Sequence, residues 1–189
     1  MNTKWKDHIQ SCNAILEKVD DTEITNCINL IYNAWETRRK IFIIGNGGSA
    51  LNASHFAQDL TKGTIKDGTF SPRIRAVSLC NDIGFITATS NDDSYNNIFV
   101  NQLVAFAEAD DILFTISGSG NSPNLIKAVE WAKSNDLVTS GILGYDGGDL
   151  KNMLENCIHI NLNHMETVEG LMSVILHYVM CEVRQKLKV

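Results

Sequence analysis

No part of the chain comes near the run of about 18 apolar residues that a membrane-spanning helix needs, so no span is expected. Met1 to Lys6 lead into polar sequence with no apolar core, so no secretory leader is expected either. The five cysteines, Cys12, Cys27, Cys80, Cys157 and Cys181, are scattered, odd in number and never spaced C-x-x-C. They read as reduced thiols of a cytoplasmic protein, buried as small apolar residues. The only prolines are Pro72 and Pro123, and no internal repeat, low-complexity segment or linker occurs. No Gly-Lys-Ser/Thr is present, which excludes a Walker loop. No G-x-G-x-x-G with a suitably placed acidic residue is present, which excludes the dinucleotide fingerprint. Positive charge is scarce: 16 Lys and Arg face 22 Asp and Glu, for a net charge of −6. That balance argues against a nucleic-acid surface. It also means that a bound phosphate would rest on hydroxyls, backbone N–H groups and one or two placed cations.

What is there has a regular rhythm. The 189 residues suit one domain with appended helices. Segments 3–18 and 22–38 carry apolar positions at mixed three and four spacings, Ile24, Cys27, Ile28, Ile31, Tyr32 and Trp35 among them, and predict two amphipathic helices. Short apolar runs at 40–44, 74–79, 112–116, 138–143 and 157–162 predict strands buried on both faces. Helical stretches at 49–62, 82–89, 93–108, 122–134 and 149–154 alternate with them, and a long helix spans 165–187. The alternation predicts an α/β fold: a five-stranded parallel sheet with helices on both faces. The single domain, 1–189, divides into an N-terminal helical segment, 1–38, an α/β core, 40–162, and the C-terminal helix.

Two loops carry the chemistry. Gly45-Asn46-Gly47-Gly48-Ser49 follows the first strand and opens a helix. Ser117-Gly118-Ser119-Gly120-Asn121-Ser122 follows the third and opens another at Pro123. A helix start offers unpaired N–H groups and the positive end of the macrodipole, which suits a phosphate. Glycine admits close approach of the anion, and serine adds hydroxyl donors. A serine also caps helices, but a cap does not need three of them in six residues.

Gly45 to Ser49, then Ser54-His55-Phe56-Ala57, then Ile116 to Ser122, then Gly144-Tyr145-Asp146-Gly147-Gly148 resemble, in order and spacing, the SIS (sugar isomerase) domain. Within it the chain is similar to the phosphoheptose isomerases, which convert sedoheptulose 7-phosphate to a manno-heptose 7-phosphate. The resemblance implies that Asn46, Gly47, Ser49, Ser117, Ser119 and Ser122 hold the sugar phosphate, and that Asn91 and Asp92 line the site. It implies Asp59 and His177 as the catalytic pair, with Glu169 at a substrate-binding position, and a homotetramer with sites at subunit boundaries. It also marks four departures: Gly118 stands where threonine is usual, Asp59 where glutamate is, Glu169 where glutamine is, and Lys62 lies near a missing arginine.

Spacing supports an acid/base set. His55 and Asp59 share a helix face at i, i+4, and Glu169 and His177 lie about two turns apart on one face of the last helix. Aldose–ketose interconversion needs such groups to move protons between two carbons and their oxygens through an enediol. Read from local sequence alone, His177 also fits a core position, Glu169 a solvated helix start and Asp59 an exposed face. His55, Asp59, Glu169 and His177 would equally suit zinc, as some relatives carry at these positions, while an acid/base site that requires no cofactor explains them as well. The expected activity is therefore sugar-phosphate isomerisation. The alternatives are a different sugar-phosphate substrate, or a non-catalytic SIS protein that binds a sugar phosphate or a protein partner.

Overall fold

β1 (Lys40–Gly45) lies at the centre of the molecule, with Ile41, Phe42, Ile43 and Ile44 each no more than 2% exposed. A strand that is apolar on both sides must be covered on both. It pairs in parallel with β2 (Arg75–Ser78) on one edge and β3 (Ile112–Ser117) on the other. β4 (Val138–Leu143) and β5 (Asn156–His159) continue the parallel sheet, giving the order β2-β1-β3-β4-β5. The computed structural model describes residues 4–64 and 72–188, and they form a single α/β domain, as the sequence rhythm predicts.

Side chains alternate between two cores. Ile41, Ile43, Phe114, Ile116 and Ile142 pack on the side of α2 (Asp21–Glu36), α3 (Gly48–Lys62) and α8 (Met165–Lys186). Phe42, Ile44, Leu113 and Leu143 pack on the side of α5 (Val100–Phe106), α6 (Pro123–Ser134) and the short α7 (Leu150–Met153). α1 (Trp5–Leu16) buries no residue fully and sits outside this arrangement, partly packed through Cys12, Ile15 and Leu16. All five cysteines are unpaired. Burial pushes Cys27 up to about 12, and burial with the nearby Glu23 charge does the same to Cys157. Both stay protonated and behave as small apolar residues.

The structure corrects the sequence reading in two places. The stretch 93–108 is not one helix. α4 (Ile83–Asp92), capped by Asp82 Oδ1 on the Phe85 N–H, stops at Asn91-Asp92-Asp93-Ser94. Side chains of this kind compete for backbone hydrogen bonds. Ser94 turns extended and accepts from the Asn96 N–H, opening a 3-10 turn (Tyr95–Asn97) before α5. The second correction is that β2 is buried on one face only: Ala76 and Ser78 point inward while Arg75 and Val77 are exposed. Other boundaries shift by one to three residues: the second and fifth strands shorten to 75–78 and 156–159, and the last helix ends at Lys186.

The loop after β3 lies against the loop after β4. The Gly144 N–H donates to the Ser117 carbonyl at 3.0 Å, and the Leu150 N–H to the Gly120 carbonyl at 3.1 Å. Gly120 has φ +68°, and a Cβ there would collide with the Gly147 carbonyl. Gly120→Ala therefore combines left-handed strain, about 1–2 kcal/mol, with displacement of backbone. Its expected loss is at least about 2 kcal/mol, or roughly 4–8 °C in melting temperature for a domain of this size. Calorimetry checks this; an unchanged melting temperature contradicts the contact.

Candidate active site

The crossover order reverses between β1 and β3, and ligands of open α/β sheets bind at that switch point, beyond the strand carboxyl ends. Both glycine-rich loops emerge there. After β1, Gly47 takes φ +55° and ψ −125°, a conformation reserved for glycine, and so delivers the chain into α3. Gly47 is the N-cap of α3 and has no side chain with which to cap it. After β3, Ser122 is the N-cap of α6, yet its hydroxyl caps nothing. α2 and α4 show the contrast: there Asp20 and Asp82 accept from the first-turn N–H groups. The two helices that flank the switch point thus leave their first-turn donors unclaimed by side chains. The Ala50 and Leu125 N–H groups bond to backbone carbonyls and Pro123 has no N–H, which leaves the N–H groups of Gly48 and Ser49 on α3 and of Asn124 on α6 to form an anion seat.

A cavity of about 100 Å³ lies between these starts, lined by Asn46, Ser49, Ser117, Gly118, Ser119 and Ser122 from the loops and by Met165 and Glu169 from α8. The serines divide the work. Ser117, buried, accepts from the Gly120 N–H at 3.0 Å and so shapes the turn. Ser119 accepts from the Asn121 N–H at 3.3 Å. Ser122 has no hydrogen bond to another described residue through its hydroxyl and is free for a ligand. No lysine or arginine lines this cavity among the described residues, so the placed cation foreseen from the sequence is not found here.

A second group of residues lies farther along α3, against α8. His55 Nε2 is 3.4 Å and His177 Nε2 3.5 Å from Asp59 Oδ2, and the two rings meet edge-on at 4.8 Å. Asp59 is mostly buried between the half-exposed histidines. The i, i+4 spacing brings His55 onto Asp59, and close packing of α3 on α8 adds His177. The His177 Nδ1–H donates to the Ser173 carbonyl at 2.7 Å, since a carbonyl can only accept. A ring with no second proton turns the lone pair of Nε2 toward the Asp59 carboxylate. Two acceptors facing each other call for a proton or a cation between them. Ligand atoms of a tetrahedral zinc ion, with bonds of about 2.0–2.1 Å, lie about 3.3–3.4 Å apart, close to the two distances to Asp59 here, while the three atoms as a set lie within 4.8 Å of one another. The donor set and the second hydrogen bond on His177 both fit that metal.

Glu169 does not join this trio. The eight-residue spacing that puts it on the face of His177 also sets it about 12 Å away along the helix. Its carboxylate sits over Gly48, where a Cβ would collide with it, at the edge of the anion cavity. The set His55, Asp59, Glu169 and His177 read from the sequence thus falls into two: a trio, and a carboxylate near the anion seat. Asn91 and Asp92 end α4 exposed, with Asn91 Nδ2 donating to Asp92 Oδ1 at 2.7 Å, and neither lines the cavity. Lys62 is exposed at the end of α3 and lines neither group. The sequence reading missed Met165, whose thioether fills the space over Gly118 that a side chain at 118 would need. The largest cavity, about 840 Å³, opens elsewhere, over the bare face of β2 beside Val77, Ile83 and Phe106, and holds neither the serine loop nor the trio.

Three substitutions test this division. Ser122→Ala is expected to leave the melting temperature unchanged and to weaken phosphate binding about tenfold or more, the weight of one charge-assisted hydrogen bond at about 1.5–3 kcal/mol. Ser117→Ala is expected to lower both. Removing the negative charge at the cavity edge with Glu169→Gln is expected to tighten inorganic phosphate on the order of tenfold. Calorimetric titration reads all three, and a Ser122→Ala that binds as the parent does makes that loop structural only.

A family model of the SIS domain matches residues 5–144. The phosphoheptose isomerase of Fusobacterium nucleatum is 36% identical over 87% of this chain and 83% of its own length. That of Colwellia psychrerythraea is 39% identical over 76% of this chain and 73% of its own. Among solved structures, the phosphoheptose isomerase of Neisseria gonorrhoeae superposes with a TM-score of 0.85 at 27% identity, covering 94% of this chain and 95% of that one. That of Francisella tularensis gives 0.83 at 26% identity, covering 96% and 94%. The chain belongs to the SIS domain family and, within it, to the phosphoheptose isomerases.

Proposed function

We propose that this protein interconverts sedoheptulose 7-phosphate and D-glycero-D-manno-heptose 7-phosphate. One observation carries the reading: two uncapped helix starts form an anion seat at one end of α3, and an acid/base trio lies farther along, with His55 and Asp59 on α3 and His177 on α8 packed against it. The seven steps from Gly48 to His55 cover about 10 Å of helix axis. That is the reach of an extended seven-carbon sugar between its phosphate and its first carbons.

In this reading Asn46, Gly47, Ser49, Ser119 and Ser122 bind the phosphate, and the helix starts take the place of a basic cluster. Glu169, acceptor-only when ionised, takes hydrogen bonds from sugar hydroxyls. Asp59 removes the proton from the carbon beside the carbonyl while His177, entering the step with a proton on Nε2 as well as on Nδ1, gives the Nε2 proton to the carbonyl oxygen, which leaves the enediol, a protonated Asp59 and a neutral His177. Return of the proton to the neighbouring carbon, with loss of one from its oxygen, completes the exchange. Asp59 and its histidines also suit zinc, held by His55, Asp59 and His177; as a Lewis acid it would polarise the substrate oxygens.

One observation favours a different sugar phosphate as the second reading. Met165 presents a thioether over Gly118 where a hydroxyl would otherwise stand, so the cavity wall is apolar there. We further read the protein as a cytoplasmic homotetramer, a reading supported by its unpaired thiols and by the exposed Leu51, Val174 and Tyr178 beside the trio. Light scattering that returns a monomer at working concentration contradicts the tetramer.

Incubation with ketose and aldose phosphates, followed by NMR, tests the activity itself. Sedoheptulose 7-phosphate is expected to turn over. Asp59→Asn and His177→Gln are each expected to lower kcat by roughly 10²–10⁴ with KM largely kept. Near-parental kcat in both variants rules out the assigned proton transfers. Elemental analysis of chelator-free protein is expected to show about one zinc per chain, lost in His55→Ala.

A further inference from the structure

Asn46 is the one amide in the lining of the anion cavity, and an amide can present either a donor or an acceptor to a ligand. A phosphate accepts hydrogen bonds, so the carbonyl end of Asn46 would repel it. The structure removes that choice. Asn46 Oδ1 accepts from Asn124 Nδ2 at 2.9 Å and from the Tyr95 hydroxyl at 2.9 Å, which fills both lone pairs. In return Asn46 Nδ2 donates to Asn124 Oδ1 at 2.9 Å. One N–H of Asn46 has no partner among the described residues.

The partners come from separate elements. Asn124 sits on the first turn of α6, directly after the serine loop, and is 2% exposed. Tyr95 opens the 3-10 turn after α4. Both lie far in sequence from Asn46, by 78 and 49 residues. The reciprocal amide pair also ties the loop after β1 to the helix after β3, across the switch point.

We propose that Asn124 and Tyr95 are positioning residues that hold the Asn46 amide in one orientation, so that it meets the substrate phosphate only as an N–H donor. The proposal rests on the reading of this cavity as the phosphate seat. It adds a polarity filter to a site that, among the described residues, has no lysine or arginine in its lining. Asn124→Asp keeps the acceptor for Asn46 Nδ2 but replaces the donor facing Asn46 Oδ1 with a carboxylate oxygen. Asn46 then turns both N–H groups toward residue 124 and offers its oxygen to the anion. Tyr95→Phe removes one of the two bonds to Asn46 Oδ1 and is a gentle change at a half-exposed ring.

Inorganic phosphate is titrated calorimetrically into the full-length parent, Asn124→Asp, Tyr95→Phe, Asn46→Ala and the two double variants with Asn46→Ala. Sugar-phosphate kinetics are measured alongside. The expected result is a Kd for phosphate raised about tenfold or more in Asn124→Asp and about threefold in Tyr95→Phe. KM should rise in parallel while kcat changes less than twofold. In the Asn46→Ala background Tyr95→Phe should weaken binding no further, and Asn124→Asp only by the direct repulsion of its added carboxylate, because the rest of both effects acts through that amide. Unchanged affinity in Tyr95→Phe together with a folded, fully binding Asn124→Asp overturns the proposal. So does full additivity with Asn46→Ala, which would make the network a structural staple. A parent that binds no phosphate and turns over no sugar phosphate overturns the reading beneath it, a distinct result.

Discussion

The parallel pairing of β1 with β3 is the constraint on which the site depends. Gly45 stands opposite Ile116 in that register, so the two strands end side by side and release their loops at the same level. Each loop then enters a helix whose first turn lacks a side-chain cap. Moved one strand apart, the two helix starts could not share an anion. The sequence cost of this arrangement is a β1 apolar on both faces, since a strand between two helical layers meets core on either side.

Binding an anion without basic side chains has consequences. The chain carries a net charge of −6, and the cavity is edged by a carboxylate rather than by lysine. Attraction must then come from oriented N–H groups and hydroxyls that act only at contact range. Such a seat favours a ligand that fits over one that is merely charged. Glycine at 48 and 118 serves the approach of α8 instead: Glu169 and Met165 occupy the space that a side chain at either position would need. α8 is therefore part of the site along its whole N-terminal half: Met165 and Glu169 close the anion end, and His177 completes the trio.

Much of this was legible in the sequence because it is local. Apolar runs marked the strands, glycine and serine at strand ends marked the loops, and four-residue spacing placed His55 on Asp59. What was not legible is what depends on distance. The 93–108 helix failed because Asp93 and Ser94 offered the backbone a rival set of hydrogen bonds, a choice decided by packing. Glu169 was grouped with His177 because periodicity reports the angle around a helix and says nothing of position along it. Nothing in the sequence singles out Met165; only the fold lays it on Gly118. The bond from Tyr95 to Asn46 joins residues whose neighbourhood only the sheet topology creates.

The separation between anion seat and trio is itself informative about mechanism. Were the phosphate bound at the trio, its charge would act directly on Asp59 and oppose the carboxylate in its role as base. In the proposed reading the phosphate, held about three helical turns from Asp59, would anchor the sugar while Asp59 answers mainly to the two histidines that face it. The lone pair that His177 turns toward Asp59 leaves a position between them that only a proton or a cation satisfies. That position is where proton transfer, or a Lewis acid, would act on the substrate. Binding energy gathered at one end of α3 can thus orient chemistry at the other without perturbing its charges.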